Sequence, residues 1–136
     1  MSSTPMTLQR ALRISLATLA CLLSSLSGNA QPIEVPQPST GLMPNIAKGK
    51  TLFATHCAKC HGGDLKGSKE GPPLLHPYYK PDHHGDAAFQ IAVRYGVRAH
   101  HWQFGNMAPV PGVSADDTAH IIAFIRREQR NAGLIP

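Results

Sequence analysis

Few cysteines, few aromatic residues and no long apolar run mark this chain, and each shortage excludes something. Its 136 residues include three cysteines, one tryptophan, three tyrosines and four phenylalanines. Zinc coordination by cysteine and histidine needs further ligands at suitable spacing, and a thioredoxin-like pair needs a βαβ context; neither partner set is present. The one extended apolar run, residues 14–26, is shorter than the ~18 to 20 residues a membrane-spanning helix requires. No alternating strand pattern, internal repeat or low-complexity tract appears outside one proline-rich stretch. The length suits one domain and is short for two.

The first thirty residues read as a targeting segment. Arg10 and Arg13 precede the apolar run, and Gly28-Asn29-Ala30 offers small residues where a signal peptidase reads, so residues 1–30 are expected to be a cleaved secretory signal. Thr18-Leu19-Ala20-Cys21 also resembles a lipobox, and acylation of Cys21 is the alternative that would anchor the protein to a membrane. Without residues 1–30 the chain keeps eleven Lys and Arg against eight acids, a net charge of +3. That surplus helps orient an acidic redox partner and is too small to argue for nucleic acid.

Residues 31–44 carry Pro32, Pro36, Pro38 and Pro44 and read as an extended linker, leaving 45–136 as the folded domain. A helix is expected from the Asn45 N-cap, with Ile46, Gly49, Leu52 and Phe53 at three- and four-residue spacing. A turn-rich loop follows from Gly62. Asp86 is read as the N-cap of a short helix through Phe89, Ala92 and Val93 that ends at Gly96. Ser114 to Asp117 fits a capping box for a final helix bearing Ile121, Ile122, Phe124 and Ile125, with arginines near its negative end and Gly133 as its stop.

Between the first helix and the loop lies Cys57-Ala58-Lys59-Cys60-His61. C-x-x-C-H is the attachment sequence of a c-type haem. On one helical turn both thiols reach the two vinyl groups while the His61 imidazole comes under the iron. Met107 follows 46 residues later in Gly105-Asn106-Met107-Ala108-Pro109. Thioether sulfur suits haem iron, and a methionine in a proline-stiffened loop is not part of a core stripe; His100 and His101 are the competing sixth ligands.

The order of these features resembles the small class I cytochromes c over residues 45 to 133: a helix with Gly49 and Phe53, Cys57-x-x-Cys60-His61, Gly71-Pro72-Pro73-Leu74, the Met107 loop, then a helix with Phe124. The resemblance implies an all-α cytochrome c fold of three to four short helices around one covalently attached haem. It implies that the first and last helices cross near Gly49, Phe53, Ile121 and Phe124, and that the Pro72 carbonyl accepts from the haem histidine. The family often has proline directly after the ligand methionine, whereas Ala108 intervenes here. Trp102, Arg94 and Arg98 are candidates to hold the haem propionates, the arginines alternatively forming a solvated face. The resemblance further implies a periplasmic electron carrier, not itself a catalyst, serving an oxidase, reductase or dehydrogenase or forming a subunit of an oxidoreductase. Two alternatives stand beside it. His83, His84, His100 and His101 could hold a second metal, making a copper-handling haem protein, or a labile sixth ligand would make a haem enzyme.

Overall fold

In a computed structural model, residues 32–136 are described, and Glu34–Pro136 form one unit. The expected signal segment, residues 1–30, and Cys21 lie outside the described residues. Among the described residues there are four α-helices and one 3-10 turn: α1 (Ile46–His56), α2 (Ala58–His61), the turn Pro77–Tyr79, α3 (Asp86–Tyr95) and α4 (Ala115–Asn131). Among the described residues the β pairing is a single antiparallel bridge between Val97 and Met107. The fold is all-α.

Each helix begins and ends for a local reason. Asn45 caps α1, its side chain accepting from the Lys48 N–H at 2.9 Å. Ser114 and Asp117 close a reciprocal capping box on α4. Gly133, at φ +69°, ends α4 with the Leu134 N–H returning to Gln129 and the Gly133 N–H to Arg130, each at 2.9 Å, which is a Schellman stop. At α3 the expectation shifts by one residue. Gly85 is the N-cap and Asp86 the first helical residue, because the Asp86 carboxylate accepts from Arg126 of α4 and so is turned away from its own helix end.

Helices α1 and α4 form the main contact, and Gly49 sets their distance. A Cβ on Gly49 would lie 1.9 Å from the His120 carbonyl oxygen, so only glycine lets the two backbones touch there. Beside this crossing the rings of Phe53 and Phe124 pack at 5.6 Å, a tilted pair worth about 0.5–1.5 kcal/mol beyond its burial. His120 is buried at the same place, its Nδ1 accepting from the Asn45 N–H at 2.9 Å.

The core continues from Phe53, Ile121, Phe124 and Ile125 to Leu65 and Leu74. Both leucines come from the long loop after α2, so that loop is anchored in the protein core. The Leu65 carbonyl accepts from Leu74 and Leu75 at 2.8 and 3.1 Å, with Leu65 held at φ +61°. The proline-rich stretch is extended and tied down. Ser39 donates through its N–H and hydroxyl to Asp116 at 2.6 and 2.8 Å, and the Tyr95 hydroxyl donates to the Glu34 carbonyl at 3.1 Å.

Candidate haem site

Helix α1 stops at His56 because Cys57 leaves helical geometry, at φ −122° and ψ −33°, and the chain restarts as the single turn of α2. Cys57 and Cys60 therefore flank a sharp bend and are both free, half-buried thiols. Burial, and then the neighbouring Cys60, pushes the Cys57 thiol up to about 11, so it stays protonated. Gly71 packs against this turn, since a Cβ there would lie 2.9 Å from the Cys60 carbonyl oxygen.

His61 closes the turn with its Nδ1 2.9 Å from the Pro72 carbonyl. A carbonyl only accepts, so Nδ1 carries the proton and Nε2 keeps the electron pair. Burial holds the imidazole below its ordinary pKa, partly offset by the Pro72 bond. The side chain is thus a neutral, oriented nitrogen donor, as metal-ligating histidines with a carbonyl partner are.

Met107 is half-buried and its backbone is doubly bonded to Val97, N–H to carbonyl in both directions at 2.9 Å. Gly96, at φ +78°, lies beneath it; a Cβ there would come within 2.5 Å of the Met107 carbonyl oxygen. The loop that presents the sulfur is therefore fixed by the end of α3. Trp102 is half-buried with its Nε1 enclosed and in no hydrogen bond of good geometry, and the acceptor beside it is the Tyr79 hydroxyl, whose pKa burial pushes up and the indole N–H partly brings back down. Arg94 and Arg98 are exposed and make no ion pair among the described residues.

His83, His84, His100 and His101 converge. Nε2 of His83 lies 3.0 Å from Nε2 of His101, and Nε2 of His100 lies 3.4 Å from Nε2 of His84. Tyr78 stacks on His101 at 4.3 Å. Desolvation, then the imidazoles of His100, His83, His84 and His76, holds His101 below its ordinary pKa.

Two residues hold this region together: Arg126, read from the sequence only as one of the arginines near the end of the last helix, and Gln129, which the sequence reading leaves unremarked. Arg126 is buried, donating to the carbonyls of Tyr79 and His84 at 2.6 and 2.8 Å, to Asp86 at 2.9 Å and to Gln129 at 2.8 Å. Gln129, wholly buried, donates to the carbonyls of Leu74 and Tyr79 at 3.1 and 3.0 Å. The signal was present in the spacing: Arg126 and Gln129 lie four residues beyond Ile122 and Ile125, on the buried stripe of α4.

The cytochrome c family model matches residues 46–128, from the start of α1 almost to the end of α4. The chain belongs to the cytochrome c family. This cytochrome accordingly binds haem c covalently and transfers electrons. It is 47% identical over 62 residues to a thiosulfate dehydrogenase of Stutzerimonas stutzeri (strain A1501), a match covering 46% of this chain and 19% of that enzyme. The chain thus spans about a fifth of the length of that relative. A structural comparison with cytochrome cL of the marine methylotrophic bacterium Methylophaga aminisulfidivorans MPT gives a TM-score of 0.47 at 23% identity, covering 76% of this cytochrome and 71% of the other.

The dehydrogenase corrects one expectation. The sequence reading makes this cytochrome a carrier and not a catalyst, yet a segment of closely similar sequence belongs to an enzyme. That expectation comes from the resemblance to small electron carriers, and the enzyme carries a segment of the same kind.

The residues present fit the haem. Two free thiols and a neutral, oriented imidazole stand on adjoining turns, the donor set that covalent attachment and ligation of a haem require.

Proposed function

We propose that this cytochrome carries one haem, attached through Cys57 and Cys60 and held axially by His61 and Met107, and that it transfers single electrons in a periplasmic dehydrogenase system. The bond between His61 Nδ1 and the Pro72 carbonyl carries the reading, because it commits Nε2 to act as a ligand beside the two thiols. When bound, the haem supplies a reversible one-electron couple, and His/Met ligation raises its potential relative to His/His. Trp102 would offer its indole N–H to a haem propionate, and the exposed Arg94 and Arg98 would add positive charge for the propionates. The net charge of +3 outside residues 1–30 favours encounter with an acidic partner.

The partner class is a dehydrogenase in preference to an oxidase or reductase, which the thiosulfate dehydrogenase similarity supports, and thiosulfate is the first electron source to offer. Export in residues 1–30 is consistent with the compartment; among the described residues no helix is long and apolar enough to cross a membrane.

Two measurements test this. Mass spectrometry of protein made in cells with a haem-attachment system is expected to show the chain plus one haem, cleaved after Ala30. The ferric spectrum is expected to show the weak far-red sulfur-to-iron charge-transfer band and to lose it in Met107→Ala. A band that survives in Met107→Ala assigns the sixth ligand elsewhere, and a high-spin wild-type spectrum leaves the sixth position labile.

A further inference from the structure

The convergence of four histidines on one edge of the fold is not used by the haem. Two of them come from the loop before α3 and two from the segment after it, and both segments are fixed by backbone bonds. The N–H groups of His83 and His84 donate to the Lys80 carbonyl at 3.0 and 2.8 Å, the His84 carbonyl accepts from Arg126 at 2.8 Å, and the Ala99 N–H donates to Asn106 Oδ1 at 2.9 Å. The imidazoles are therefore presented by backbone that is already in place.

Tautomers decide what the cluster can bind. His84 Nδ1 lies 2.5 Å from the Tyr78 carbonyl, and His100 Nδ1 lies 2.8 Å from the Arg98 carbonyl. Both Nδ1 atoms must carry the proton, because their partners can only accept. In the neutral rings both Nε2 atoms then expose lone pairs, and these face one another at 3.4 Å. Two lone pairs in that position repel unless a cation lies between them. Histidines that donate Nδ1–H to a backbone carbonyl and offer Nε2 are oriented as metal ligands are.

Within each pair the distances are those of neighbouring ligands, and it is the grouping of His83, His84 and His101 that brings the two pairs to one ion. Nitrogens about 2.0–2.1 Å from a metal are roughly 2.9 to 3.4 Å apart when they are neighbouring ligands in tetragonal or tetrahedral geometry. The two Nε2 separations, 3.0 and 3.4 Å, fall in that range. Ligand atoms of His83, His84 and His101 all lie within 4.8 Å of one another, so small side-chain rotations close the set. Tyr78 stacked on His101 and His83 restricts those rotations to the plane of its ring.

We propose that His83, His84 and His101, with His100 joining through His84, form a surface site for one first-row divalent cation, taking copper(II) in preference to zinc(II). Neutral imidazole suits both ions, and the affinity order of divalent metals places copper above zinc. The site rests on the reading above in which Met107, and neither His100 nor His101, is the sixth haem ligand, and the far-red band in the Met107→Ala spectrum tests that reading independently of copper binding.

Titration of the full haem-loaded chain with copper(II), followed by electron paramagnetic resonance, tests the proposal. The expected result is one copper per chain with hyperfine splitting from imidazole nitrogens. His84→Ala and His101→Ala are each expected to weaken binding at least about tenfold. His56→Ala, an exposed histidine at the end of α1, is expected to leave it unchanged. An unaltered haem spectrum in each variant shows that the fold persists. Failure to bind copper stoichiometrically at micromolar concentration overturns the proposal, leaving the facing nitrogens to share only a proton. Binding that ignores His84→Ala and His101→Ala overturns it equally, and a zinc(II) affinity matching that of copper removes the stated preference.

Discussion

Arg126 Nη2 donates to the carbonyl of His84 across 2.8 Å, joining the buried face of α4 to the loop that carries two of the clustered histidines. The same guanidinium reaches Tyr79, Asp86 and Gln129 and lies over the Phe89 ring at 5.0 Å. A planar fork with five donors is the one side chain able to serve all of these groups at once.

Arg126→Met is accordingly expected to destabilise the folded protein by about 3 kcal/mol, since it strands the His84 carbonyl and the buried Gln129 amide oxygen, while the Tyr79 carbonyl keeps Gln129 as a donor. Denaturant unfolding followed by circular dichroism measures this. Arg126→Lys should recover only a small part, because a single ammonium cannot span the four partners. An unchanged midpoint in Arg126→Met would show that water replaces the guanidinium without penalty.

Gly49→Ala places a methyl group where the His120 carbonyl stands, and α1 must separate from α4 to admit it. Overpacking of this kind costs about 1–3 kcal/mol, which for a domain of this size lowers Tm by roughly 4–8 °C per kcal/mol. Thermal unfolding of the haem-loaded protein provides the check. A smaller loss should be seen for Gly63→Ala, where a Cβ meets nothing within 4 Å.

Gly96→Ala is expected to act on the iron rather than chiefly on the fold. Its φ of +78° with ψ of −177° is accessible to glycine almost alone, and the added Cβ presses on the Met107 carbonyl. The far-red charge-transfer band should weaken or vanish while the haem remains attached. Retention of the full band together with a normal Tm would mean that the Met107 loop yields without moving its sulfur.

Acid stability should depend on Asp117. Its carboxyl is pulled down from 3.8 to about 2, first by the Ser114 hydroxyl and then by Lys48, with which it pairs at 2.9 Å. The native state therefore binds the proton less readily than the unfolded chain. Its contribution is complete above the unfolded value near 3.8 and disappears as pH falls through about 2. Asp117→Asn is expected to flatten the decline in Tm between pH 4 and pH 2, starting from a lower Tm at neutral pH because the capping box is weakened. A parallel decline in both proteins would assign acid sensitivity to other carboxylates.

Helix positions were legible because they are written locally: Asn45, Ser114 with Asp117, and Gly133 announce ends through bonds to their own neighbours. The haem attachment turn was legible for the same reason, as five consecutive residues. The role of Arg126 was not, since three of its four hydrogen-bonding partners come from about forty or more residues away in sequence and a basic residue late in a helix reads equally well as a dipole partner. Asp86 was misplaced by one residue on similar grounds, its carboxylate being claimed from another helix. The pairing of His83 with His101 and of His84 with His100 also depends on how far α3 carries the chain back, which no local pattern states.

The contact of Gly49 with His120 has a consequence for biosynthesis. Among the described helices, the two that make the principal core contact lie at opposite ends of the sequence, and closing the long intervening loop is entropically unfavourable until α4 is available. A nascent chain ending before Ile121 has no surface against which α1 can dock. Until α4 docks, the turn that carries Cys57 and Cys60 at the end of α1 is expected to remain open to haem attachment, so the order of export, attachment and closure is written into which helix completes the core.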